Sequence, residues 1–332
     1  MAEVRIDLDG IRGNTAAVAR LLSSSGLDLV GVTKGVAGEP RVARAMVEGG
    51  AAALADTHDA HLRGLRAALP EVELHRILLP PAHALFAPGD ISHVTSIASA
   101  GRIATLGTPT APQAVMVQIE TGDLREGVPV EEVVELAVYV EGEPRLRLEG
   151  LSTNYACFAG DPTGIEASLD VLVRVVADVR AAGLPVPRVS GGNSSLLGLL
   201  SDGWSLPAEI TEVRCGEALL LGREALHYRP LPGCRQDAVL LRAEVVERYT
   251  KGVAGSRSER LVLAIGHQDL GAGTVVFREP GLVELGRSSD YVVVGVEAGS
   301  VAPEVGDMVQ MLPDYVAMTA ACTSPFVEVL VD

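Results

Sequence analysis

The feature that most constrains this chain is a change of rhythm near residue 230. Before it, short β-branched runs alternate with helix-patterned segments; after it, strands follow one another with only turns between them. Alternation of the first kind calls for βα units, in which helices cover a parallel sheet. Strands are expected at 28–33, 52–55, 76–79, 114–119, 147–151, 187–189 and 209–213. A helix is expected over 165–181, where Ile165, Leu169, Leu172, Val176 and Val179 share one face, and another over 41–48, stopped by Gly49-Gly50. Seven or eight such units suit a closed barrel better than a small open sheet. The expected fold is α/β: a (β/α)8 barrel over 1–228, then a C-terminal β-rich domain over 229–332 with strands at 238–246, 261–265, 291–296 and 308–312. Residues 1–10 are assignable to either part.

At 332 residues, 48% of them hydrophobic, the chain can build a barrel-sized core and a second domain. With only 3% aromatic residues, that core must be aliphatic. Forty-three acidic residues against 27 basic ones leave a net charge of −16, and no Lys/Arg stripe offsets it, so nucleic acid is not an expected partner. A small anion remains compatible, since backbone N–H groups and a few arginines can dominate the field inside a pocket. No apolar run reaches the ~18 residues of a membrane helix, and the N-terminus lacks a basic-then-apolar leader, so the expectation is a cytoplasmic protein without a membrane partner. Cys157, Cys215, Cys234 and Cys322 show no zinc-ligand spacing and read as reduced core thiols. No metal site is expected.

In a barrel, chemistry collects where strands end. The expected strand ends lead into Thr33-Lys34-Gly35, Asp56-Thr57-His58, Glu120 through Gly127, Ser152-Thr153-Asn154-Tyr155, Gly191-Gly192-Asn193-Ser194-Ser195 and Arg214-Cys215-Gly216-Glu217. Lys34 ends an apolar strand, where desolvation lowers an ammonium pKa and yields an amine nucleophile suited to Schiff-base chemistry. An ordinary strand-end lysine reaching into water fits the same position. Gly191 through Ser195 can present backbone N–H groups and two hydroxyls to a phosphate, although helix capping alone explains the same letters. It is not the Walker pattern, because no lysine follows the glycines, which disfavours a nucleotide site. Arg125 and Arg214 could each be a surface arginine. Together, a lysine, a phosphate cradle and two arginines satisfy an aldehyde, a phosphate and a carboxylate.

With these residues in place, the chain resembles the fold-type III pyridoxal-phosphate enzymes, that is, the alanine racemase family and its ornithine racemase-like branch. The likeness covers nearly the whole chain. Its marks are Ile6-Asp7-Leu8-Asp9, Val32-Thr33-Lys34, Gly122 through Gly127, Thr153-Asn154, Ser190 through Ser195, Arg214 through Ala218 with Leu221 through Glu224, Ala264 through Asp269, and Thr323-Ser324-Pro325. The resemblance implies pyridoxal 5'-phosphate held by Lys34, with Arg214 facing the pyridine nitrogen. It places Asn154 against the ring and gives the phosphate to Ser194, Ser195 and the backbone of Gly216 and Glu217. It also implies a homodimer whose active sites are shared between subunits. Racemisation needs an acid/base on each face of Cα: Lys34 on one, and on the other His267 of the partner subunit, where the family carries tyrosine or, in the ornithine-type branch, arginine. A histidine that only contacts substrate or the interface fits the same position.

Arg125 and Asp269 are the implied substrate-binding residues, with Gln268-Asp269 either contacting the partner site or orienting His267. Gln118 stands where alanine racemase has a carbamylated lysine supporting its arginine, so Arg125 is expected to be held by Asp123 or Glu120 instead. A basic amino acid such as ornithine or lysine is the expected substrate, with Asp56, Asp123 or Asp269 as candidate partners for a distal ammonium. The alternatives are an aldolase or epimerase of the same fold and a non-catalytic pyridoxal-phosphate-binding protein. Tyr315 and Cys322 are expected to serve packing.

Overall fold

The computed structural model describes residues 1–79, 92–99, 111–155, 164–251 and 258–332. It divides into two compact units: Arg12–Lys34 with Gly38–Cys234, and Met1–Ile11 with Gly35–Ala37 and Arg235–Asp332.

Strand β1 (Ala2–Ile6) and helix α1 (Leu8–Ser23) open the chain. Eight strands then close into a parallel barrel: β2 (Asp28–Val32), β3 (Ala53–Asp56), β4 (Leu74–Arg76), β5 (Val94–Ile97), β6 (Gln113–Ile119), β7 (Leu146–Thr153), β8 (Arg188–Ser190) and β9 (Glu212–Cys215). Each strand pairs with the next and β9 returns to β2, through Val30↔Arg214 and Gly31↔Cys215. Helices α2 (Pro40–Glu48), α3 (Asp59–Ala68), α4 (Val133–Gly142), α5 (Ile165–Ala181), α6 (Leu197–Ser201) and α7 (Glu217–Leu221) alternate with them. The α/β barrel expected from the rhythm of the chain is therefore present.

Local chemistry explains the elements that were legible. Pro40 sits in the first turn of α2, where its missing N–H costs nothing, and the Glu39 carboxylate accepts from the Arg41 N–H at 3.2 Å. Gly49 follows, and a Cβ there would lie 2.6 Å from Thr15 Cβ. The apolar face of α5 is fully buried at Leu169, Leu172, Val176 and Val179, each contributing roughly 1.5–3 kcal/mol of transfer free energy. The barrel strands sort their side chains in the same way. A Cβ on Gly31 would meet Met46 of α2 at 3.3 Å, so Gly31 faces the helices and its neighbours Val30 and Val32 face inward, onto Ala53 and Ala55.

The differences from expectation are local. Strand β5 was not anticipated, because its buried Val94-Thr95-Ser96-Ile97 carries two hydroxyl residues instead of an apolar run. A turn closed by the Ile210 N–H on the Pro207 carbonyl, 3.1 Å, delays the last strand, so Arg214 lies inside β9 and not after it. At the N-terminal end of the barrel, the Arg188 guanidinium meets Glu73, Glu149 at 3.0 Å and, more distantly, Glu212, while His75 Nε2 lies 2.6 Å from Glu73. The His75 hydrogen bond and Arg188 together pull the Glu73 carboxyl down to about 2, against the opposing effect of burial.

The second unit is an eight-stranded sheet. Its strands are β10 (Val239–Lys251), β11 (Ser258–Leu263), β12 (Val275–Phe277), β13 (Leu282–Arg287), β14 (Val292–Val296), β15 (Met308–Pro313) and β16 (Glu328–Val331), together with β1; it also carries helices α8 (His267–Leu270) and α9 (Tyr315–Thr323). The path runs β12-β15-β10-β11-β14-β13, and β1 lies antiparallel to β10 and parallel to β16. The inward face of β10, Val239, Leu241, Ala243 and Val245, is wholly buried. Cys215 and Cys322 are buried free thiols and Cys234 is a half-buried one; Cys157 lies outside the described residues. Among the described residues no helix is long and apolar enough to cross a membrane.

Candidate active site

Strand β2 delivers Lys34 to the C-terminal mouth of the barrel. After Val32 come Thr33 and a single 3-10 turn, Lys34–Val36, in which Lys34 is half-buried. Ala37 (φ 52°) and Gly38 (φ 68°) reverse the chain, and the Gly38 N–H returns to the Thr33 carbonyl at 3.2 Å. Gly35 has no spare room: a Cβ there would sit 3.0 Å from both Met318 Cε and the Tyr315 ring. Tyr315 thus packs on the residue that follows Lys34.

Strand β9, the neighbour of β2, supplies Arg214. Arg214 is 6% exposed, and its guanidinium donates to the Thr153 carbonyl at 2.8 Å and to Asn154 Oδ1 at 3.2 Å. Two charge-assisted hydrogen bonds fix its plane where β7 ends. The next turn packs onto the Lys34 strand, since a Cβ on Gly216 would be 3.2 Å from Val32. From that turn the Ala218 N–H donates to Ser194 Oγ at 3.4 Å, which joins the Gly216-Glu217 corner to the Ser194-Ser195 corner. Glu217 itself pairs with Arg223 at 3.3 Å. Strands β7, β8, β9 and β2 are consecutive around the barrel, so Asn154, Ser194, Ser195, Arg214, Gly216, Glu217 and Lys34 occupy one arc of its mouth.

The glycines of the cradle are required by contact. A Cβ on Gly191 would lie 2.5 Å from Ile210 Cγ2; on Gly192, whose φ is +117°, it would lie 2.3 Å from the Tyr155 ring and hydroxyl. Tyr155 is 2% exposed, donates from its hydroxyl to the Gly191 carbonyl at 2.6 Å and accepts from Asn193 Nδ2 on its own carbonyl at 3.0 Å. The Asn193 side chain in turn accepts the Ser195 N–H at 2.9 Å. Sequence reading placed Tyr155 at the rim without a role; its position directly after Asn154 was the available signal. The cradle's neighbour Cys215 is an inert thiol, its pKa pushed up to about 12 by full burial despite a hydrogen bond from Ser194.

Arg125 rides a loop bounded by Gly122 (φ 126°) and Gly127 (φ 146°), with Leu124 at φ 55° and exposed. Its guanidinium pairs with Asp123 at 3.4 Å and with both Glu126 oxygens. Glu120 instead accepts the Gly122 N–H at 2.5 Å. Of the two expected supports for Arg125, the structure selects Asp123. Gln118 is buried and accepts from Ser152 Oγ at 2.7 Å.

In the β-rich unit, His267 and Gln268 are exposed on the short turn α8. The turn is pinned by His267 N–H to the Ser288 carbonyl, 2.9 Å, and by Gln268 Nε2 to Asp290, 2.8 Å. Asp269 is buried beneath it, accepting from the Gly266 N–H at 3.3 Å and from Ser324 Oγ at 2.8 Å. That carboxylate holds the His267 turn from below and draws the Thr323-Ser324-Pro325 segment to it.

The three carboxylates considered for a distal ammonium are all engaged internally. Asp269 is capped as described, Asp123 is buried against Arg125, and Asp56 is completely buried. Asp56 accepts from Thr33 Oγ1 (2.6 Å), the Thr57 and His58 N–H groups (2.6 and 3.1 Å) and His61 Nδ1 (2.9 Å). A buried carboxylate must be saturated in this way, and saturation removes it from solvent-facing recognition.

Residues 6–224 match the sequence model of a family described as alanine racemase, N-terminal domain. The chain belongs to the alanine racemase family. Within reach of this family's fold, it is 29% identical to the lysine racemase of Thermotoga maritima over 97% of this chain and 96% of that protein. It is 26% identical to the ornithine racemase of Acetoanaerobium sticklandii over 98% of both chains. The alanine racemase of Corynebacterium glutamicum superposes with a TM-score of 0.76, at 19% identity, covering 100% of this chain and 99% of that one. The D-threonine aldolase of Filomicrobium marinum superposes at 0.78, with 20% identity, covering 96% and 88%. At such identities the superpositions establish a shared architecture, the alanine racemase barrel followed by a β-rich domain.

Proposed function

We propose that this protein is a pyridoxal-phosphate-dependent amino-acid racemase, an isomerase whose substrate is a basic amino acid such as lysine or ornithine. The observation that carries the reading is the single arc at the barrel mouth, where the ends of the consecutive strands β7, β8, β9 and β2 bring the Arg214–Asn154 pair, the Ser194 corner, the Gly216 turn and Lys34 together. The donor set suits the cofactor. Glycines that admit no Cβ bring backbone close to a phosphate, and the Ser194 and Ser195 hydroxyls add donors. Arg214 would supply the positive charge for the ring nitrogen, and Lys34 would supply the amine that holds the aldehyde carbon. Both curated relatives are named for racemisation of basic amino acids, which supports the substrate class.

Bound there, the cofactor supplies an electron sink that acidifies the substrate Cα–H. The chain's own residues do the remaining work. Lys34 Nζ takes and returns the Cα proton on one face. The partner subunit's His267 serves the other face in a homodimer. Its Nδ1 lies 3.3 Å from the Gly271 carbonyl, and an Nδ1–H directed there leaves Nε2 as the basic nitrogen of the neutral ring. Asp269 orients that turn, Asn154 would stand against the cofactor ring, and Arg125 would bind the substrate carboxylate.

The test is to incubate the protein with pyridoxal phosphate and a panel of L-amino acids in heavy water, following Cα deuteration and chirality. Deuterated D-lysine or D-ornithine is the expected product. Absence of Cα exchange with every amino acid tried, despite bound cofactor, would transfer the reading to cofactor binding without racemisation. Lys34→Ala is expected to abolish the cofactor label that borohydride fixes to the protein, and a label still fixed at the same site would remove Lys34 from its role.

A further inference from the structure

One pair of side chains that the racemase chemistry does not use, Asp56 and His61, grips the Lys34 turn at both ends. At the leading end, Thr33 precedes Lys34 directly, and its hydroxyl donates to Asp56 Oδ2 at 2.6 Å. At the trailing end, a Cβ on Gly38 would lie 2.5 Å from His61 Cβ and 2.9 Å from its Cγ, so the imidazole stem fills the space beside the turn. The two ends are themselves joined by the Gly38 N–H on the Thr33 carbonyl. His61 Nδ1, 2.9 Å from Asp56 Oδ1, closes the circuit.

We infer that the Asp56–His61 pair is a positioning device for Lys34, acting through Thr33 and Gly38. The inference rests on the reading of Lys34 as the cofactor lysine. Lysine is a flexible four-carbon stem, so the accuracy with which its amine is presented depends on how firmly its backbone is held. A wholly buried carboxylate is a demanding way to hold it. Unless saturated it is costly, and here four donors from the Thr33, Thr57, His58 and His61 positions saturate it. His61 belongs to the first turn of α3, which is itself tied to the barrel by Asp59 and Arg76 of β4 at 2.5 Å. The Lys34 turn is thereby referenced to two further strands, β3 and β4, besides its own. Gly38 is the corresponding concession on the other side: only a residue without Cβ, and tolerant of φ 68°, leaves room for the imidazole.

The experiment compares full-length Thr33→Val, His61→Ala and His61→Asn with the unmodified protein. The readouts are the rate of pyridoxal phosphate attachment to Lys34, trapped by borohydride and located by peptide mass, and the separate kcat and KM for the racemised amino acid. Thr33→Val and His61→Ala are expected to slow attachment and to lower kcat on the order of tenfold, with KM within about twofold. His61→Asn, which keeps an N–H directed at Asp56, is expected to recover most of the attachment rate. The double variant Thr33→Val/His61→Ala is expected to be no slower than the slower single variant, since both break one circuit. Wild-type attachment and kcat in Thr33→Val, or an Asn variant as impaired as the Ala variant, would overturn the inference. Thr33→Val decides alone should His61→Ala not fold, because it leaves the Asp56–His61 pair intact. Failure of the unmodified protein to carry the label on Lys34 would instead sink the cofactor-lysine reading.

Discussion

Arg214 reaches across from β9 to Asn154 at the end of β7, 3.2 Å from guanidinium to amide oxygen, and takes the Thr153 carbonyl with the same nitrogen. One arginine thus ties the end of β7 to β9 across the barrel mouth. Replacing it by lysine keeps the charge and discards the planar fork. Arg214→Lys is expected to lower kcat by about one to two orders of magnitude, since a hydrogen bond to a charged group is worth about 1.5–3 kcal/mol. Asn154→Ala, which leaves the Thr153 contact, should cost less. Steady-state kinetics and cofactor titration of both variants measure the difference.

Gly192 is more tightly enclosed than its neighbour Gly191 or than Gly216. Its φ of +117° and the Tyr155 ring 2.3 Å from an added Cβ mean that Gly192→Ala must displace either the loop or the ring. A loss of stability of roughly 1–3 kcal/mol is expected, with weakened cofactor retention. Tyr155→Phe keeps the ring and removes one hydrogen bond to Gly191, so it should cost only about 1 kcal/mol. Urea unfolding with and without pyridoxal phosphate separates the two.

Glu73 sets an acid limit to stability. Its folded pKa of about 2 lies below the ordinary 4.5, because of the His75 hydrogen bond first and Arg188 second. A carboxylate with a depressed folded pKa contributes stability above its unfolded pKa, and that contribution fades as pH falls from 4.5 toward about 2. Melting temperature is therefore expected to fall across that interval, and the slope should flatten in Glu73→Gln. An unchanged slope in the variant would assign the acid limit to other carboxylates.

His267 and Lys34 are expected to serve opposite faces of the substrate. His267→Ala should leave cofactor binding intact and slow Cα exchange from one enantiomer on the order of a hundredfold or more, while exchange from the other persists. Equal slowing from both enantiomers would assign His267 to binding. Proton NMR of each enantiomer in heavy water reads the two rates directly.

The alternation of strand and helix, the apolar face of α5, the Gly49 stop of α2 and the strand-end positions of Lys34, Asn154, Ser194 and Ser195 were legible in the sequence, because each depends on local spacing or on a turn's demand for particular residues; Arg214, expected just past its strand, falls inside β9. The order and residue types at successive strand ends were enough to indicate the family. Other features depend on neighbours distant in the chain. Strand β1 joins β10 and β16, more than two hundred residues away. Strand β5 is hidden by its two hydroxyls, and Tyr155 becomes part of the cradle only where it meets Gly192. Asp56 depends on its neighbours in the same way: a carboxylate at a strand end is a candidate partner for a substrate ammonium in the sequence, and in the fold four donors from two segments of chain surround it. Sequence spacing determines which way a side chain leaves its own element; whether its charge is spent inside the protein or offered to a ligand is decided by desolvation, and only the packed tertiary structure sets that.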